Sequence, residues 1–141
     1  MKRKWLYIGV GFAALLQTII QWFWIDVLFK SSYAALAADQ FASVEIPVTF
    51  LSKIAFALVV GFFYLHVPDE KRSVRAGSTI GAILGLLIGI YQLLDWHAAF
   101  NVPFSLIAME LAKTLLLGAL SGLTISFAEI KMNSRRQAVH S

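Results

Sequence analysis

No cysteine occurs anywhere in the chain, which excludes disulfides, thiolate nucleophiles, Cys-ligated zinc and Cys-ligated iron–sulfur clusters. Charge is scarce as well. Asp, Glu, Lys and Arg make up 14% of the 141 residues, where a soluble domain carries about 25%. No H-E-x-x-H, G-x-S-x-G, P-loop or dinucleotide fingerprint is present, and Ser52, Ser78, Ser121 and Ser126 have no His or acid at triad spacing. What fills the chain instead is apolar: 59% of residues are hydrophobic and the mean hydropathy is +0.74. That balance rules out an ordinary water-soluble enzyme and a disordered chain.

A hydrocarbon core of ~30 Å needs about 20 mostly apolar residues of helix. Four stretches meet that length, at about 5–29, 46–66, 76–94 and 104–127. Pro47 stands in the first turn of the second, Pro68 follows its end, and Pro103 precedes the fourth. Lipid offers the backbone no hydrogen-bond partners, so the spans must be helices, and four are too few for a barrel. The expected fold is an all-α membrane protein, an up-down-up-down four-helix bundle in a single domain over 1–141. The first apolar run is ~25 residues, longer than the 7–15 of a signal-peptide core, so it is expected to be retained as a span.

Basic residues orient the bundle. Lys2, Arg3, Lys4, Lys71, Arg72, Arg75, Lys131, Arg135 and Arg136, nine of the twelve, fall on one side. Both termini are therefore expected in the cytoplasm. Only Lys30 occupies the other side, and Lys53 and Lys113 lie inside spans. Trp22, Trp24 and Trp96 mark the outer interface, with Trp5, Tyr7 and Tyr64 at the inner one, as aromatic belts do. The loop 31–45 reads either as a short helix in the outer headgroup layer or as a plain loop.

Gly77, Gly81, Gly85 and Gly89 recur every four residues along the third span, and the fourth offers Gly118, Gly122 and Ser126 at the same interval. Small residues so spaced let helix backbones approach closely in lipid. The spacing predicts close packing. It leaves open whether the partner is the fourth helix of the same chain or a second copy. The basic tail Lys131–Arg136 is expected to touch anionic lipid headgroups. Nucleic-acid binding is not expected, because the inside bias already accounts for the positive residues.

The remaining polar groups gather in the outer half. Asp26 and Asp95 fall near outer helix ends, Lys53 about 10 Å deep, Glu110 about 9 Å and Lys113 about 13 Å deep. Asp26 is placed to pair with Lys30 at i, i+4, and Glu110 with Lys113 at i, i+3. Lys53 then takes Asp95 or Asp26 as its counterion, or gives up its proton. The cluster Asp26, Lys53, Asp95, Glu110 and Lys113 reads either as structural clasps or as a proton or small-ligand site. The apolar inner halves of the first three spans favour clasps. Gln17, Gln21 and Gln92 add amides at similar depth. His66 and His97 stand on opposite sides and cannot share a metal, so neither a metal nor a cofactor is expected.

With Asp26 at an outer helix end, Arg75-x-Gly77 opening the third helix and the glycine row in place, the chain resembles the small four-helix inner-membrane proteins of bacteria. That resemblance implies a multi-pass plasma-membrane location and supplies no activity. The chain is also similar in size and helix count to the small multidrug-resistance transporters, dimers built around a glutamate in the first helix. Here the first helix carries Gln17 and Gln21, and the nearest acid, Glu110, is in the fourth. The expected function is a non-enzymatic interaction or envelope role, with membrane lipids and a homodimer or another membrane protein as partners. The alternatives are a small dimeric transporter or proton-coupled carrier using Glu110, with the third helix at the dimer seam, and an intramembrane lipid-modifying enzyme.

Overall fold

The structure, a computed structural model, describes residues 4–31, 46–100 and 103–140, the backbone alone at Trp96, Ala99, Phe100 and Arg135–His140. The expected interfacial helix over 31–45 and the basic pairs Lys2–Arg3 and Arg135–Arg136 therefore lie essentially outside the described residues. Four long helices follow one another: α1 (Lys4–Trp22), α2 (Ile46–Leu65), α3 (Val74–Phe100) and α4 (Phe104–His140). Each is long and apolar enough to cross a membrane, as a multi-pass membrane protein requires. No strand occurs among the described residues.

Hydropathy set the spans at the width of a hydrocarbon core, and the helices outrun it. α3 continues to Phe100 rather than ending near Leu94, and α4 runs 13 residues beyond Phe127 to His140. The cause is that i→i−4 hydrogen bonding does not stop where lipid stops, provided that the next residues are helix formers. α1 instead changes pitch. Phe23–Leu28 form a π-helical turn, closed by a 3.0 Å bond from the Phe29 N–H to the Trp24 carbonyl. At the other end of the bundle, His66 and Val67 turn the chain and Pro68 stops α2. Ser73 then caps α3, its Oγ accepting the Ala76 N–H at 3.1 Å.

Each helix buries the stripe that its spacing provides. On α1 the buried positions include Trp5, Leu6, Gly9, Val10, Ala13, Ala14, Gln17 and Thr18, pairs repeating every four residues. This inclined row lies across α4 and α2, while α3 packs chiefly on α4. A Cβ on Gly81 would fall on the Gly118 carbonyl, and one on Gly77 would fall on the Gly122 carbonyl. Gly85 meets the Thr114 carbonyl in the same way, and Gly89 meets the Thr114 side chain. From Gly77 to Gly85, each step up α3 is thus answered by a step back along α4 of the same chain, an antiparallel seam with backbone against backbone. A homodimer would need a different face.

The fully buried core of Trp5, Leu6, Val10, Ala13, Ala57, Val60, Tyr64 and Ile125 lies in the half of the bundle nearest the two tails. On α2, all four buried residues (Ala57, Val60, Gly61 and Tyr64) belong to that half. The other half of α2 has no fully buried position. There the bundle opens.

Candidate functional site

The opening encloses a cavity of about 330 Å³ to which all four helices contribute polar side chains: Gln17 and Gln21 from α1, Lys53 from α2, Gln92 from α3, Glu110 and Lys113 from α4. At ~1.5 Å per residue these groups share one layer. Counted from the helix ends away from the tails, Lys53 is about 10 Å down α2, Gln92 about 12 Å down α3 and Glu110 about 9 Å down α4.

Two of the charges are closely matched. The Lys113 ammonium donates to both oxygens of Glu110 at 2.6 Å, and both side chains are buried. Helical i, i+3 spacing places them on one face, and the surrounding apolar helices make this charge-assisted pair far stronger than it would be in water. Gln17, 1% exposed, donates from Nε2 to the Ser121 hydroxyl at 2.5 Å, while its Oε1 is buried without a hydrogen-bond partner. Lys53 lines the same cavity and forms no ion pair among the described residues. The cavity therefore holds two ammonium groups against one carboxylate.

Of the five charges that depth alone groups together, Lys53, Glu110 and Lys113 meet here. Asp26 and Asp95 do not line the cavity. Asp95 is exposed, and no ion pair among the described residues joins either aspartate to Lys53 or Asp26 to Lys30. The Asp26–Lys30 spacing fails for a local reason. Phe23–Leu28 are wound at π-helical pitch and Phe29 leaves helical geometry (φ −123°, ψ 20°), so four residues no longer return to one face. No group of three or more His, Asp or Glu able to hold a metal ion occurs among the described residues.

A second polar centre, absent from the sequence reading, sits at the tail end. Arg72 is the hub. It donates to the carbonyls of Leu65 (2.6 Å) and Val67 (3.0 Å) and pairs with Asp69 (2.7 Å) and Glu129 (3.2 Å). Glu129 is 6% exposed, and its carboxylate faces the buried Tyr64 hydroxyl as well as Arg72. Counted as one of the charges at the tail side, Arg72 looks like a solvated topogenic residue. The signal available was on α4: Glu129 extends the row Gly118, Gly122, Ser126 at helical spacing and so must face the bundle. Arg72→Gln should lower stability by about 2 kcal/mol, since it strips a buried carboxylate of its cation and two carbonyls of their donor. Reversible unfolding in mixed micelles measures it, and an unchanged midpoint would remove this centre from the account.

Between the two polar centres lies an apolar layer of Ala57, Val60 and Ile125, each fully buried. No protein-family model, curated protein or solved structure matches this chain, so the functional reading rests on this geometry.

Proposed function

We propose that this protein is a non-enzymatic, four-span protein of the bacterial inner membrane, with both tails in the cytoplasm, that holds a small polar ligand in the outer-half cavity. The orientation is supported by the basic residues clustered at the tail end. The single observation that carries the ligand reading is Lys53, an ammonium lining a cavity inside an apolar bundle with no carboxylate paired to it among the described residues. An ammonium in such a place costs on the order of 3 kcal/mol, which a structural clasp would recover through a partner. A binding site recovers it only when the ligand arrives.

Stability decides between the two roles without knowledge of the ligand. Lys53→Met keeps the side-chain length and removes the charge, so it should stabilise the ligand-free protein by about 1–2 kcal/mol. A clasp lysine would give a loss instead, and a loss would overturn the binding role. The third possibility, a proton-coupled carrier, is favoured by one feature: the buried Arg72–Glu129 centre, which lies beyond the apolar layer from Glu110–Lys113. Gradient-driven flux in proteoliposomes that disappears in Glu110→Gln would establish it.

A further inference from the structure

The shape of the cavity mouth and the identity of the charges around it narrow the ligand, given the binding role proposed above. Gln17, Glu110 and Lys113 are buried, whereas Ser52 on α2 and Ile88 and Gln92 on α3 are exposed. The cavity therefore opens sideways between α2 and α3, the flank on which α2 has no fully buried residue above Ala57. Ser52 is about 9 Å and Gln92 about 12 Å from the outer ends of their helices, inside the hydrocarbon of the outer leaflet. A molecule using this mouth comes from lipid, not from water.

We infer that the cavity admits the anionic headgroup of a membrane amphiphile, a phosphate monoester or carboxylate, laterally between α2 and α3, with its acyl or prenyl chain left in the bilayer. Two observations converge on that class. Lys53 supplies a cation without a paired carboxylate among the described residues, while the Glu110 charge is already matched by two 2.6 Å contacts to Lys113. A volume of about 330 Å³ holds roughly ten waters, room for a phosphate with a few carbons but not for a lipid chain. Ile88, an apolar lining residue that is 44% exposed, gives that chain a lipid-facing surface to lie along.

The full-length protein in nanodiscs of phosphatidylcholine doped with phosphatidic acid of the same chains provides the test, with retained lipid counted by native mass spectrometry. Phosphatidic acid should be retained about tenfold over phosphatidylcholine. Lys53→Gln should erase the preference, whereas Lys30→Gln, at an exposed cation outside the cavity, should leave it intact. Equal loss in both variants would reduce the effect to surface attraction and overturn the inference. Displacement of phosphatidic acid by millimolar inorganic phosphate would make the ligand a free anion, refuting the lipid class while sparing the binding site. No preference at all, together with a stabilised Lys53→Met, would refute the anion class alone. A destabilised Lys53→Met would instead sink the binding role on which the inference rests.

A second measurement is independent of lysine chemistry. The chain has no cysteine, so Ser52→Cys carries a single spin label at the mouth. Its collisions should be dominated by lipid-dissolved oxygen, and dominance by an aqueous nickel chelate would overturn lateral access.

Discussion

Gly81→Leu is expected to abolish accumulation of a monodisperse protein. The substituent would have to occupy the space of the Gly118 carbonyl, and Gly118 in turn stands against the Gly81 carbonyl and the Gly85 Cα. Overpacking among side chains typically costs about 1–3 kcal/mol, because side chains can shift. Here the obstacle is backbone, and the only relief is to move α3 off α4, which forfeits the most extensive helix contact in the bundle. Without a hydrophobic drive between helices in lipid, that dispersion contact has no substitute. Gly11→Leu serves as the control, since a Cβ there meets nothing within 4 Å. Size-exclusion profiles of the two variants should differ sharply. If Gly81→Leu elutes and melts like the parent, the backbone seam does not hold the fold.

Glu110→Gln should cost about 3–5 kcal/mol, the usual result of removing one member of a buried ion pair. The variant keeps the Lys113 ammonium buried beside Leu117 and Thr114 but removes the carboxylate that it contacts at 2.6 Å through both oxygens. Lys113→Met should be costly for the mirror-image reason. The double variant Glu110→Gln/Lys113→Met deletes both charges and should lie much closer to the parent than the two single losses summed. Unfolding midpoints for all four proteins complete the cycle, and additive single losses would contradict the pairing. The contrast with Lys53→Met is informative. Two cations in one cavity respond with opposite signs, because only one has a paired carboxylate among the described residues.

Some of this was legible in one dimension. Four apolar stretches separated by prolines and charges gave four helices, and the glycine interval on α3 announced a close approach. Glu110 and Lys113 were recognisable as a pair because both sit on one helix, where three residues return nearly to the same face. The failures share a cause. Asp95 and Asp26 were matched to Lys53, with loss of its proton as the alternative, because all three lie in the half away from the tails, yet depth says nothing about which way a side chain points around its helix. The Arg72–Glu129 pair spans 57 positions and the Gln17–Ser121 bond spans 104, so local spacing names neither pair of partners. A single π-helical turn was enough to undo the Asp26–Lys30 pairing.

Hydropathy records how far each residue lies along the membrane normal, and from that the number, order and approximate ends of the helices follow. Rotation about each axis, and the choice of neighbours, come from interlocking side chains and backbones of segments far apart in the chain. Small residues drew α3 onto α4, the stripe on α1 joined α4 to α2, and no matching row held the upper part of α2 against α3. That one unfilled contact is why a polar cavity exists, and a linear pattern holds no measure of a gap between two helices.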